Sequence, residues 1–283
     1  MARYESALQG NAGRDASSRR VELSDQDYST FSGIGVIVCS VGGETRSSTA
    51  FLVGAFDIGV TVAHTFGNTA DAPVRDCVYN STDSMGQIRE RIPVSYVKSQ
   101  WESEAGAFGE PQKDLAVVRL SRPSRYAQRT MPLGRFSGAA APVVMVGFRS
   151  DAAADTMKRK ARGTAYEHAS NDDEAAGIVD FTHDMDAWGI SAGAPVIDER
   201  SGVIIGIHTR LPETRRELHT EARDARHAAQ PGAQASRRAD PGHRQGGRNA
   251  MITMNDWLEA TLRSEMQSQA ELQDRTQAEA LPN

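Results

Sequence analysis

The stretch that decides the fold is residues 186–196, with the sequence DAWGISAGAPV. It holds a Gly-x-Ser triplet ending at Ser191 and a Gly-Ala-Pro triplet beginning at Gly193. Ser191 carries the only hydroxyl in this stretch. A serine hydroxyl is a weak nucleophile until a neighbouring base activates it. The function of the stretch therefore depends on a histidine and a carboxylate elsewhere in the chain.

A histidine suited to this task is His64, which ends the sequence TVAH directly after the predicted strand 59–63. Its unperturbed pKa lies near neutrality, so it can act as a general base and then as a general acid. A carboxylate follows fifty residues later: Asp114 begins the sequence DLAVVRL, whose apolar run predicts a buried strand. At the edge of that strand, Asp114 would orient the imidazole and stabilise its charged form.

These three stretches resemble the trypsin/chymotrypsin-like serine peptidases, in particular the bacterial trypsin-like and glutamyl endopeptidase-like branch. TVAH is similar to the family's Thr-Ala-Ala-His, DLAVVRL to its Asp-Leu-Ala-Leu-Leu-Arg-Leu, and 186–196 to its Gly-x-Ser-Gly-x-Pro loop. The order His64, Asp114, serine loop is that of chymotrypsin. The resemblance implies an all-β fold of two six-stranded antiparallel barrels with a C-terminal helix. It also implies hydrolysis of peptide bonds through an acyl-enzyme, in a cleft between the barrels.

The serine loop fits the family motif in two registers. In the first, Ser191 is the nucleophile and the N–H groups of Gly189 and Ser191 form the oxyanion hole. One residue then separates Ser191 from Gly193, where the family has none. This register is favoured by the chemistry, because it supplies a hydroxyl.

In the second register, Gly193 and Pro195 align with the family's residues after the serine. Ala192 then occupies the nucleophile position, and Ile190 replaces an oxyanion-hole glycine, with Ile190 and Ala192 as the N–H donors. The flanking residues favour this register. The sequence thus leaves two functions open, an active serine endopeptidase and an inactive relative that binds a peptide or protein without cutting it.

Four further residues are candidates for substrate recognition. Asp186, six residues before position 192, falls where the family keeps the floor of its specificity pocket, and a carboxylate there would attract Arg or Lys. His208 lies on the strand that lines this pocket and resembles the glutamyl endopeptidase branch, in which it helps to bind an acidic side chain. Thr209 and Arg210 would pair with the substrate backbone as an added strand. We expect a weak preference for a basic side chain.

The pattern of short apolar runs independently predicts an all-β domain. These runs are rich in Val and Ile and are bounded by Gly, Pro, Ser or Asp, which is typical of a sandwich or barrel. They lie at residues 35–39, 49–53, 59–63, 92–97, 115–120, 143–147, 178–181, 195–197 and 203–207. The 283 residues, 39% of them hydrophobic, suffice for a substantial core.

Composition also divides the chain and excludes several partners. We expect a flexible leader at 1–28, a peptidase domain at 29–263 with a flexible polar insertion at 211–248, and a polar tail at 264–283. The insertion has eight arginines and almost no large apolar residue, so it cannot offset its ordering entropy. The net charge of -5 is mixed along the chain and predicts neither a nucleic-acid nor a membrane partner. No secretory signal is visible near the N-terminus, so we expect a soluble protein, cytoplasmic or exported by another route.

Neither the cysteines nor the remaining histidines indicate a metal or cofactor. Cys39 and Cys77 lie in or near predicted strands and are expected to be small buried residues. Many animal relatives bridge a cysteine near Cys39 to one directly after the catalytic histidine, but Thr65 stands at that place here, so the resemblance implies that this bridge is absent. His168 and His183 have no partner at metal-ligand spacing, and the histidines of the insertion are too irregularly spaced for zinc.

Overall fold

Strands of β-branched residues alternate with short turns along most of the described chain. The structure is a computed structural model that describes residues 20–21, 23–41, 43–67, 76–103, 111–137, 139–148, 157–168, 180–183, 192–210 and 249–279. The first group of strands is β2 (Ile34–Val41), β3 (Glu44–Leu52), β4 (Ile58–Thr61), β5 (Val78–Thr82), β6 (Ile88–Ser99) and β7 (Ala116–Leu120). These strands form a closed barrel in the order β2-β3-β4-β7-β6-β5.

Alternation along the strands sorts side chains between the inside of this barrel and its surface. Ile37, Tyr79 and Ile92 point inward and are completely buried in one apolar cluster. Their neighbours Val36 and Asn80 point outward on adjacent positions of β2 and β5. A one-residue slip of register would exchange these two sets, so the barrel core determines which residues the outer face presents.

The second group of strands also closes into a ring. It consists of β8 (Ala141–Gly147), β9 (Arg159–His168), β10 (Asp180–His183), β11 (Pro195–Asp198), β12 (Ile204–Arg210) and β13 (Asn249–Thr253). β8 pairs with both β9 and β11, which joins the two ends of the row β9-β10-β13-β12-β11. All these pairings are antiparallel. The predicted all-β architecture of two six-stranded barrels is confirmed.

The core between the two barrels is a single apolar cluster. It joins residues from three parts of the molecule. Phe51, Val60 and Val117 face outward from the first barrel, Val144, Phe148 and Ile207 belong to the second barrel, and Leu258 and Leu262 belong to the C-terminal helix. All of these side chains are buried. Because the cluster contacts both barrels, it fixes the position of one barrel relative to the other.

The C-terminal helix is longer than the sequence predicted. It follows the one-turn helix α2 (Gln100–Ser103) in chain order. Helix α3 runs from Asp256 to Glu279, whereas we expected a polar tail from residue 264. Asn255 caps it by accepting the N–H of Leu258 at 2.9 Å. Glu265 is buried against the first barrel, 2.7 Å from Lys98 Nζ and hydrogen-bonded to Tyr96. Burial opposes ionisation, but the bonds from Lys98 and Tyr96 outweigh it and lower the pKa of Glu265.

The N-terminal segment also differs from expectation, because residues 20–21 and 25–28 belong to secondary-structure elements rather than to a leader. Strand β1 (Arg20–Val21) pairs with β9, and helix α1 (Asp25–Thr30) begins at a capping box on Ser24. Lys160 Nζ lies 2.9 Å from both carboxylate oxygens of Asp27. These contacts dock polar residues that composition alone predicted to be flexible. Residues 1–19 lie outside the described part of the chain.

The two cysteines are bridged, which the sequence analysis did not expect. Cys39 on β2 and Cys77 just before β5 form a disulfide. Both are buried, as predicted, but the pairing of β2 with β5 brings them together. Cys39 is thus bonded to Cys77, which directly precedes the neighbouring strand β5, and not to position 65.

Two further expectations concern parts of the chain beyond these elements. The polar insertion 211–248 lies outside the described residues. Among the helices that are described, none is long and apolar enough to cross a membrane.

Candidate active site

His64 lies in a short 3-10 turn directly after β4. The turn spans Ala63–Phe66 and ends at Gly67, whose φ of +70° suits glycine. Ala63 and Phe66 are buried in the first barrel, whereas the His64 side chain is 46% exposed. The apolar neighbours therefore anchor the turn while the imidazole faces outward.

Asp114 holds His64 through two hydrogen bonds. Oδ1 of Asp114 accepts the backbone N–H of His64 at 2.8 Å, and Oδ2 lies 2.7 Å from Nδ1 of the imidazole. Asp114 itself is buried. A carboxylate beside Nδ1 favours the tautomer with its proton on that nitrogen, which leaves Nε2 as the acceptor. The pair is arranged as a general base and its orienting group.

Strand pairing explains why two residues fifty positions apart meet. Thr61 of β4 is the register partner of Ala116 of β7. His64 follows Thr61 by three residues, and Asp114 precedes Ala116 by two. Because the strands are antiparallel, both residues emerge at the same end of the barrel.

Residues 192–194 form the described part of the serine loop and are held between the barrels. The carbonyl of Ala192 accepts the N–H of Thr49 on β3 at 2.9 Å. On the other side, Gly193 N–H donates to the carbonyl of His208 at 2.9 Å, and His208 N–H donates to the carbonyl of Ala194 at 2.8 Å. The loop is thus bonded to β3 of the first barrel and to β12 of the second.

Only glycine fits at position 193. Its φ is +88°, and a Cβ there would lie 2.1 Å from the carbonyl oxygen of Thr49 and 2.7 Å from Oγ1 of Thr61. Thr61 Oγ1 in turn donates to that same Thr49 oxygen at 2.7 Å and lies 2.8 Å from Ser48 Oγ. The strand that precedes His64 and the loop at 193 are therefore positioned by the same residue, Thr49.

Two of the recognition candidates, His208 and Thr209, are consecutive residues of β12, and both are buried. Their register partners on β13 are Met251 and Ala250. The backbone of His208 contacts the serine loop, as described above, so this strand borders the site. Four predicted residues lie outside the described part of the chain: Asp186, Gly189, Ile190 and Ser191.

Sequence reasoning missed Thr49 and underrated Thr61. Thr61 belongs to the TVAH motif, so its position gave a signal. Thr49 gave none, because its contacts with Ala192 and Gly193 span more than 140 positions. Among the described residues, no group of three or more His, Cys, Asp or Glu side chains is arranged to hold a metal ion.

The chain has two packed antiparallel barrels. A histidine–carboxylate pair lies at the end of the first barrel, and a glycine loop of the second barrel packs against the first. This arrangement defines the chymotrypsin-like class of β proteins. The family model of the trypsin-like peptidase domain matches residues 48–207, more than half of the chain. The chain therefore belongs to the trypsin-like peptidase family. Comparison with curated protein sequences gives no match.

Solved structures of peptidases share this fold at low sequence identity. A Glu endopeptidase in complex with MPD aligns with a TM-score of 0.57 and 12% identity, over 89% of this chain and 97% of that one. The inactivated protease paralogue S-I1 of the scabies mite aligns at 0.54 and 13%, over 87% and 100%. The VesB protease of Vibrio cholerae aligns at 0.50 and 14%, over 69% and 60%. At these identities, the likeness concerns the fold alone.

Proposed function

We propose that this chain is a serine-endopeptidase-type protein that binds extended peptide segments, with His64 and Asp114 as its acid–base pair and Ala192 at the nucleophile position. Such a protein recognises a peptide or protein substrate and hydrolyses it very slowly. The oxyanion-hole donors of this register are the N–H groups of Ile190 and Ala192. Asp186, His208 and Thr209 border the bound peptide.

The observation that carries this proposal is the glycine requirement at position 193. The family motif places its serine directly before a glycine. Here Gly193 is the loop glycine, because it has a positive φ, no room for a Cβ and a hydrogen bond to β12. Its preceding residue is Ala192, whose carbonyl is tied to Thr49. With both residues bonded to the barrels, a one-residue shift that brings Ser191 to this place would break these bonds.

A second candidate function is active peptide-bond hydrolysis with Ser191 as the nucleophile. It is favoured by the His64–Asp114 pair, since two hydrogen bonds of 2.7 and 2.8 Å are the arrangement that a working base needs. The fold alone is compatible with both functions, because its structural relatives include a Glu endopeptidase and an inactivated protease paralogue.

A fluorophosphonate probe separates these candidates, because it labels only an activated serine. We expect no labelling of the natural chain and labelling of the Ala192→Ser form. The His64→Ala change in the Ala192→Ser background is the control, and it should abolish labelling. Labelling of the natural chain that disappears in Ser191→Ala would establish Ser191 as the nucleophile and replace our proposal by the second candidate.

For substrate preference, we propose a basic residue at the specificity pocket, because Asp186 would supply a carboxylate at its floor. The competing feature is His208, which would favour an acidic residue as in the glutamyl endopeptidase branch. Arginyl and glutamyl peptides of one sequence, compared for binding to the natural chain, distinguish these preferences. Tighter binding of the glutamyl peptide would overturn ours.

A further inference from the structure

Arg46 on β3 lies directly beside the candidate base. Its Nη1 donates a hydrogen bond to the backbone carbonyl of His64 at 3.3 Å. The turn that carries His64 ends at Gly67, and a Cβ built on Gly67 would lie 3.1 Å from Arg46 Nη1 and 3.2 Å from Cγ1 of Val41. The guanidinium is therefore held against the turn, with His64, Gly67 and Val41 around it.

The positive charge of Arg46 is only weakly paired in this position. The Arg46 side chain is 39% exposed, and its ionic neighbour among the described residues is Glu44, with Oε2 3.7 Å from Nη2. Glu44 is 75% exposed, so water and salt screen this pair. A guanidinium has five N–H donors in a planar fork that fits a carboxylate. Beyond its bond to His64, Arg46 thus offers a fixed positive charge and further donors at the surface.

Arg46 lies on the same strand as Thr49, the residue that joins the serine loop to the first barrel. Thr49 N–H bonds to the carbonyl of Ala192. Arg46 precedes Thr49 by three residues, or about 10 Å at the usual rise of a strand. The loop bonds to the second barrel from its other side, through His208 of β12. Arg46 is therefore on the opposite side of position 192 from β12.

The chemistry of peptide-bond cleavage determines which part of a substrate passes Arg46. In a serine peptidase, the acyl part stays on the nucleophile, while the imidazole donates a proton to the leaving amine. The leaving segment therefore lies on the histidine side of position 192, over the first barrel. This path runs along the surface, because the side chains of His64 and Arg46 are 46% and 39% exposed. Three residues of an extended peptide span about 10 Å, which reaches from the scissile bond to Arg46.

We propose that Arg46 is a specificity-determining residue for the leaving segment, where it binds an Asp or Glu side chain within the first three residues after the scissile bond. The carboxylate of that side chain pairs with the guanidinium fork in place of Glu44. This inference rests on the proposed peptide-binding function. It adds a preference that is separate from the one proposed for the specificity pocket.

The test measures binding of fluorescein-labelled peptides to the natural chain by fluorescence anisotropy. Each peptide has one arginine followed by three residues and an amidated end. Asp stands at the first, second or third of these positions, and a matched peptide has Asn there. At one or more positions, the Asp form should bind about fivefold tighter than the Asn form in about 50 mM salt, and the difference should fall below about twofold in about 0.5 M salt.

This comparison also separates the inference from the proposed function. Equal binding of the Asp and Asn forms at all three positions would overturn the inference and leave the proposed function intact. Absence of binding by every peptide would overturn the proposed function together with the inference.

Variants of Arg46 and Glu44 assign the preference to this site. Arg46→Gln should remove the difference between the Asp and Asn forms, and Arg46→Glu should reverse it. Arg46→Lys keeps the charge without the fork and should retain part of it. Glu44→Gln removes the competing carboxylate and should enlarge it.

The matched control is Arg200→Gln, which makes the same change of charge at an exposed position. Arg200 lies in the turn between β11 and β12, at the end of β11 away from the serine loop. This variant should keep the full preference for the Asp form. A preference that persists in Arg46→Gln would overturn the assignment to Arg46.

A purely structural role of Arg46 gives a different result. If its bond to His64 served only to hold the turn, Arg46→Gln would weaken binding of the Asp and Asn forms by the same factor, and this outcome would overturn the inference. In the Ala192→Ser background, the ratio of kcat/KM for the two forms should fall to about one on Arg46→Gln, with the change in KM. A change confined to kcat would show that Arg46 acts through His64 and would likewise overturn the inference.

Discussion

The backbone N–H of Thr49 is hydrogen-bonded to the carbonyl of Ala192 at 2.9 Å, and this bond joins the two barrels at the candidate active site. Thr49 also accepts a bond from Thr61, three residues before His64. One residue of β3 therefore positions the strand that carries the histidine and the loop that faces it. This constraint supports the alignment that we propose, with Ala192 at the nucleophile position.

The first prediction concerns the nucleophile. Ala192→Ser should raise hydrolysis of casein or an arginyl ester by at least a hundredfold, since the oxyanion hole and binding alone provide only a small part of triad catalysis. Ser191→Ala should change the rate of the natural chain by less than twofold. Steady-state assays of the three forms test this. A natural chain that is already fast, and that loses its rate on Ser191→Ala, would contradict the proposed register.

The second prediction concerns the orienting carboxylate. In the Ala192→Ser background, Asp114→Asn should lower kcat by about 10⁴-fold, because an amide presents an N–H to Nδ1 and selects the wrong imidazole tautomer. The far-downfield proton signal expected from Nδ1–H in the parent should be lost in the same variant. Retention of both the rate and the signal would show that Asp114 does not orient His64.

The third prediction concerns the backbone at position 193. Gly193→Ala should destabilise the fold by about 3 kcal/mol or more, because it adds a contact of 2.1 Å with Thr49 to the strain of a positive φ. The matched control is Gly202→Ala, where φ is +71° and no atom lies within 4 Å of the added Cβ. That change should cost only about 1–2 kcal/mol. Urea unfolding of both variants measures the difference, and equal losses would contradict the close approach.

The fourth prediction concerns Lys158, whose ammonium group is buried and donates to the carbonyl of Phe31 at 3.0 Å. Burial lowers its pKa to about 7. The unfolded value is about 10.4, so between these pH values the unfolded state binds more protons and stability rises with pH. Below pH 7, both states are protonated and this contribution is constant.

Lys158→Met removes the buried charge and should therefore stabilise the protein by about 1 kcal/mol or more at pH 6. The advantage should shrink as the pH rises from 7 to 10. Thermal or urea unfolding of both forms across this range tests the sign. A difference in unfolding free energy that is independent of pH would show that Lys158 keeps an ordinary pKa when folded.

The sequence by itself determined the all-β class and the histidine and carboxylate that meet at the site. Runs such as residues 59–63 and 115–120 carry these signals locally, because β-branched residues favour strands wherever they occur. The TVAH and DLAVVRL motifs place His64 and Asp114 at strand ends, where antiparallel pairing brings them together. The same local reasoning failed for residues 20–21, 25–28 and 264–279. There, polar side chains are ordered by partners that lie far away in the sequence, such as Lys160 for Asp27 and Lys98 for Glu265.

Only the tertiary structure decided the bridge between Cys39 and Cys77 and the role of Thr49. Each depends on the register between strands that are distant in sequence, and no periodicity in a single strand encodes that register. The sequence left two alignments of residues 186–196 open, because the flanking residues favour one register and the hydroxyl of Ser191 favours the other. The close contact of Gly193 with Thr49 supports the register that we propose, since a position without room for a Cβ can hold only glycine.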